Sequence, residues 1–159
     1  MQYVHPEVIK YWKEREHLDE EELIARKTDW CRKMTLKALH DAGCKLLIGT
    51  DAYQFFIVHG FSVHEELQHF VDAGLSPFEA IQAGTTNAAE YLGAAGEVGK
   101  VAVGYEADLL LLHGNPLEEI SNTKRIAGVM HRGRWFYESE LERMLKDIAV
   151  SYEKMASKE

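Results

Sequence analysis

A chain of 159 residues fits one domain of ordinary size or pieces of two, with 46% apolar residues for a core and 28% charged residues for a hydrated surface. A formal charge of −8 argues against nucleic acid and anionic membrane surfaces as partners. No apolar run approaches the ~20 residues that span a bilayer, the first residues carry neither a basic start nor an apolar core of a secretory signal, and the only two cysteines, Cys31 and Cys44, form no CxxC pair, so the expected setting is the cytoplasm with both thiols free.

Pro6 is placed to open a short helix from Glu7 to about Glu16. Asp19 then caps a longer helix whose first turn is Glu20-Glu21-Glu22 and which runs to about Ala42, with Gly43 as its stop. On this helix Leu23, Trp30, Met34 and Ala38 share one face, which predicts a core position for Trp30. Leu46-Leu47-Ile48 then reads as a strand over 45–49 buried on both faces, with Gly49 and Thr50 turning the chain out into Asp51. A carboxylate at the end of a buried parallel strand is where α/β barrels place catalytic groups. Asp also terminates strands and opens turns, so on these seven residues both readings stand.

Residues 52–61 form a loop with Tyr53, Phe55, Phe56, His59, Gly60 and Phe61, whose aromatics either line a pocket or pack beneath another element. Ser62 and Glu65 have the capping-box spacing for the next helix, with Val63, Leu67, Phe70 and Val71 as its buried stripe and Gly74 as its end. This helix contains His-Glu-Glu-Leu-Gln-His, but it is not a zinc-protease motif. His64 and His69 are five residues apart and diverge by ~140° around a helix, whereas two ligands on one face need a spacing of four. His64, at the helix start, is the one placed to face a site.

Ser76-Pro77-Phe78-Glu79 opens another helix carrying Ala80, Ile81 and Ala83; Gly84 breaks it, and Thr85 or Thr86 starts a further one that ends at Leu92-Gly93. Beyond Gly96 the pattern turns strand-like over Val98–Val103, then over Ala107–Leu112 as a second buried strand. Ile126–His131 and Arg134–Tyr137 flank Arg132-Gly133 as a hairpin. A last helix, Glu138–Ala156, repeats Leu141, Leu145, Ile148, Tyr152 and Met155 in a seam that docks on the domain or on a partner.

In this order the pieces resemble the C-terminal part of the metal-dependent amidohydrolase superfamily, above all its imidazolonepropionase-like and Xaa-Pro dipeptidase-like members. Four passages carry the resemblance: LLIGTDA at 46–52, HGFSVHEELQHFVDAGLSPFEAIQAGTTNAAEYLG at 59–93, GKVAVGYEADLLLLHGNPLEEI at 99–120 and VMHRGRWF at 129–136. The resemblance implies an α/β fold class: a fragment of a (β/α)8 barrel over residues 1–97 with 45–49 as its last strand, part of a small β-sandwich over 98–137, and a C-terminal amphipathic helix over 138–159. It implies that Asp51 binds a divalent metal, zinc in the first instance and one or two ions in number, takes a proton from the metal-bound water and passes it to the leaving amine. His59, Gly60 and His64 fall where such proteins meet substrate. The implied substrate is a small molecule or dipeptide whose carbon–nitrogen bond is hydrolysed.

The family also requires a His-x-His pair after the first barrel strand, a Lys or Glu on the fourth, and single histidines after the fifth and sixth. No His-x-His occurs in this sequence, and a barrel of this kind takes ~250 residues. The expectation is therefore a C-terminal piece of a longer hydrolase, inactive alone. The alternatives are a non-catalytic binding or assembly module, pairing as a homo-oligomer, and one half of a split enzyme completed by an N-terminal chain.

Overall fold

In the computed structural model, which describes residues 2–13, 19–52 and 56–156, the helices start and stop where short-range chemistry tells them to. Helix α1 spans Pro6–Lys13 and α2 spans Asp19–Asp41. Gly43, at φ 79°, closes α2: its amide donates to His40 and that of Cys44 to Leu39, so the last carbonyls of the helix are satisfied. Helix α3 (Ser62–Asp72) ends the same way at Gly74, through Gly74 to Val71 and Leu75 to Phe70. Helix α4 (Pro77–Gly84) begins with the expected capping box: Ser76 Oγ accepts the Glu79 amide at 3.3 Å, and the Glu79 carboxylate accepts the Ser76 amide at 2.7 Å. The Ser76 hydroxyl also donates to the Glu79 carboxylate at 2.7 Å, and this bond, with that from the Ser76 amide, holds the Glu79 carboxyl below the usual carboxylate range. Helix α5 spans Thr86–Tyr91.

Strands β1 (Leu109–Leu112), β2 (Ile126–His131) and β3 (Arg134–Tyr137) form an antiparallel sheet in the order β1-β2-β3. The β2–β3 turn is Arg132-Gly133 with φ of 48° and 78°, both positive as a two-residue hairpin turn demands. Gly128 is required by close approach, since a Cβ there would overlap the Trp135 indole. Helix α6 (Glu138–Ala156) packs on β2, β3 and α1. Leu141, Leu145 and Tyr152 are half-buried and Ala149 is buried, while Ile148 and Met155 stay exposed. The seam docks on its own domain.

The sheet is tied to the helices by a 3-10 helix at Ile120–Lys124. Ile120, 2% exposed, enters the core formed by Leu67 and Phe70 of α3, Leu75, and Ala80 and Ala83 of α4.

Five expectations are corrected. Residues 45–49 form no strand. A strand needs a neighbouring strand to pair with, and among the described residues helices take its backbone groups instead. Asn87 Nδ2 donates to Leu46 O at 3.1 Å, the Ile48 amide to Ala83 O at 3.4 Å, and the Gly49 amide to the Glu66 carboxylate at 2.9 Å. Leu46 and Ile48 are only half-buried against the core. Val98–Val103 likewise forms no strand, because it has no ladder neighbour beyond a bridge between Ala95 and Val98. Strand β1 is not fully buried; it is an edge strand whose Leu110 and Leu111 are exposed. Trp30 is 64% exposed and Met34 54%, because α2 turns its Lys33, Leu36, Lys37 and His40 side towards α3 and α4, with Lys33 paired to Asp72 and His40 to Glu79. Leu23 lies outside the described side chains. Ser62 does not cap α3: its hydroxyl donates to Val58 O at 2.8 Å, Phe61 occupies the cap position, and Val63 is exposed.

Candidate functional site

Asp51 stands exposed at the end of the irregular segment 45–50, with φ 48°. Left-handed backbone is uncommon outside glycine, and Asp is among the residues that tolerate it. Three residues of the following loop, including Tyr53 and Phe55, lie outside the described residues. Where the loop resumes, His59 is exposed, Gly60 takes φ 78°, and Phe61 stacks on Tyr3 with ring centroids 5.3 Å apart. His59 and Phe61 line a cavity of about 250 Å³ with Tyr3, His5 and Tyr152, the last two meeting edge to face at 5.6 Å. The loop thus packs beneath the start of α1 and against α6.

His64, in the first turn of α3, faces the other way. Its Nδ1 lies 3.0 Å from Thr123 Oγ1, and that hydroxyl donates to Ile120 O at 2.8 Å. A hydroxyl has one proton to give, so His64 is the donor through Nδ1–H, and its neutral tautomer is fixed. Burial, reinforced by Lys124 and opposed by Glu65, pushes the imidazole below the usual histidine range. His64 and Thr123 line a cavity of about 600 Å³ between the helices and the sheet, walled by Ile48, Leu67, Val101 and Leu110. His59 and His64 therefore line different cavities, and Asp51 lines neither of the two.

Glu66 is the residue that sequence reasoning passed over. Its carboxylate holds the Gly49 amide, two residues before Asp51, and its second oxygen is buried with no partner among the described residues. The available signal was position: on a helix Glu66 lies ~40° from Phe70, at the border of the apolar stripe.

A catalytic divalent metal takes about three protein ligands. Among the described residues no three His, Cys, Asp or Glu side chains stand together to hold one. Asp51 alone does not fit such an ion.

Comparison with known proteins adds three likenesses. Over 39 residues the chain is 62% identical to an imidazolonepropionase of Rubrobacter xylanophilus, covering 24% of this chain and 9% of that protein. It is 33% identical over 115 residues to an ochratoxinase of Aspergillus niger, covering 66% of this chain and 23% of that one. A Xaa-Pro dipeptidase solved with methionine in its active site superposes with a TM-score of 0.60 at 28% identity, over 66% of this chain and 25% of the dipeptidase. The chain thus spans a quarter or less of each of these proteins. The amidohydrolase family profile matches residues 4–136, which take in the Asp51 turn, the helices behind it and the three-stranded sheet. This chain is a member of the amidohydrolase family.

Proposed function

We propose that the protein hydrolyses carbon–nitrogen bonds in small amides, cyclic amides or dipeptides, and that this chain is the C-terminal part of it. The family match over residues 4–136, a span holding Asp51, His59, Gly60 and His64, carries this reading. Asp51 serves as general base. Its carboxylate takes a proton from water as the water oxygen adds to the carbonyl carbon, and returns that proton to nitrogen as the C–N bond breaks. His59-Gly60 contribute to substrate binding from the loop, and His64 from the separate cavity between the helices and the sheet. A divalent metal, zinc in the first instance, would supply Lewis acidity when bound; its other ligands belong to residues outside this chain, so this chain alone holds none. The cytoplasm suits the free, exposed thiols of Cys31 and Cys44.

The test is to assay this chain and an upstream-extended chain on Xaa-Pro dipeptides and N-acyl amino acids with Zn²⁺ or Mn²⁺. The extended chain turns over and this chain does not, and Asp51→Asn in the extended chain lowers kcat by about 10²-fold or more. Turnover by this chain alone overturns the division of the site. Absence of turnover by the extended chain overturns the hydrolase reading.

One observation favours a second reading, an assembly module or half of a split enzyme: Trp30 and Met34 on α2 and Leu110 and Leu111 on edge strand β1 are all exposed. Apolar edges of this kind pair with other chains. Light scattering after size exclusion separates the readings, because a monomer at every concentration removes the homo-oligomer, and failure of a separately expressed N-terminal portion to co-elute removes the split enzyme.

A further inference from the structure

We propose that Glu66 is the positioning residue for Asp51, acting through the backbone of Gly49; its catalytic meaning rests on Asp51 being the base. Asp51 holds a left-handed φ of 48°, a strained conformation for a non-glycine residue that persists only where the surroundings dictate it. The segment before it has no sheet to do so. Among the described residues its backbone is held by Asn87 on Leu46, Ala83 on Ile48 and Glu66 on Gly49, and the Lys45 side chain pairs with Glu90 at the far end of the segment. The first two contacts are made by a neutral amide and a backbone carbonyl. The third comes from a carboxylate, and charge-assisted hydrogen bonds are roughly twice as strong as neutral ones. It is also the last fixed point before Thr50 and Asp51. Because Glu66 sits on α3, 17 residues beyond Gly49, the same bond joins the entry and exit of the loop that carries Asp51, His59 and Gly60.

A second observation separates this from simple satisfaction of a stray amide. Glu66 Oε2 is buried with no hydrogen-bond partner among the described residues. An unpaired buried acceptor carries an uncompensated desolvation penalty. A neutral amide would also accept from Gly49, so what the carboxylate adds is the strength of its grip on the turn.

NMR of this chain tests the proposal without reference to catalysis. The signals to follow are the Gly49 amide proton, its exchange with solvent, and the HN–Hα coupling and Cα and Cβ shifts of Asp51. In Glu66→Ala the Gly49 amide moves upfield and exchanges at least about tenfold faster, as loss of one charge-assisted bond dictates, and Asp51 leaves its left-handed conformation. Glu66→Gln keeps the acceptor but not the charge, so Gly49 moves upfield while Asp51 holds its conformation; this variant carries the test if the alanine variant does not fold. Glu65→Ala, one position away on an exposed site, leaves all of these signals in place. Gly49 and Asp51 signals as unaffected by Glu66→Ala and Glu66→Gln as by Glu65→Ala overturn the proposal. In the extended chain, Glu66→Ala lowers kcat with KM held within about twofold, and Glu66→Gln recovers part of it. If the NMR changes occur and no form of the extended chain is active, the hydrolase reading falls and the clamp on the turn stands.

Discussion

Replacing Ile120 with alanine tests whether the 3-10 helix is what fastens the sheet to the helices. Ile120 is 2% exposed and packs among Leu67, Phe70, Leu75, Ala80 and Ala83. Alanine removes three carbons, a transfer loss of about 2.4 kcal/mol at ~0.8 per methylene. The cavity left behind adds to this, because α3 and α4 are held by their own caps and relax only in part. The expected total is about 3–4 kcal/mol, inside the range for such truncations and a large share of the ~5–15 kcal/mol that holds a domain together. In urea, with a slope near ~2 kcal/mol/M, the midpoint falls by about 1.5–2 M. Ile120→Val removes one methylene and costs ~0.5–1.5 kcal/mol. Leu117→Ala, at a residue 52% exposed in the same connection, stays within ~0.5 kcal/mol. An Ile120→Ala midpoint within ~0.5 M of the parent, at unchanged slope, refutes the idea that Ile120 is the plug.

Ser76→Ala removes a cap whose partner amide then has no acceptor, and lowers stability by ~0.5–2 kcal/mol in thermal or urea melts. Gly128→Ala drives a methyl into the Trp135 ring and costs ~1–3 kcal/mol; Trp135→Leu in the same chain recovers part of that loss, whereas additive costs refute the contact. His64 gives a pH signature of definite sign. Its pKa is lowered on folding, so the unfolded chain binds the proton more readily; the associated stability is fully present above the ordinary histidine value of ~6.5 and drains away as pH falls through the lowered folded value. The difference in urea midpoint between parent and His64→Gln, followed from pH 7.5 to 5, shrinks on acidification; a difference that grows contradicts the assignment.

What could be read from the sequence is what neighbouring residues decide. The Ser76–Glu79 box, the stops at Gly43 and Gly74 and the Arg132-Gly133 turn each close within six residues, so the pattern that announces them is complete in the chain. The errors fall where the deciding partner is distant. Leu46–Ile48 and Val98–Val103 have strand composition, but a strand exists only against another strand. The apolar face of α2 reads as core by spacing, yet ion pairs from Lys33 and His40 to residues some 40 positions away choose a different face. Ser62 fits a capping box and loses it to Val58, four residues back, whose carbonyl takes the Ser62 hydroxyl.

The candidate site repeats that division in one place. The type and order of residues from Gly49 to Asp51 mark a carboxylate at the end of an apolar run, and the structure puts it there. Its direction is another matter. It depends on a bond from Glu66, 17 residues on, and the helix bearing Glu66 is held against the 3-10 helix by His64 on Thr123, 59 residues on. Each link ties a residue of α3 to something that the local sequence does not reveal. Helix α3 therefore does two jobs with adjacent turns: its first turn grips the 3-10 helix, and the next grips the Asp51 turn. A change at Thr123 should accordingly be felt at Gly49 through α3. In Thr123→Val the His64 Nδ1–H loses its acceptor, the first turn of α3 loosens, and the Gly49 amide exchanges faster by a factor smaller than in Glu66→Ala. A disturbed His64 with unchanged exchange at Gly49 would show instead that the two grips are independent, and that the loop carrying Asp51 is set by Glu66 alone.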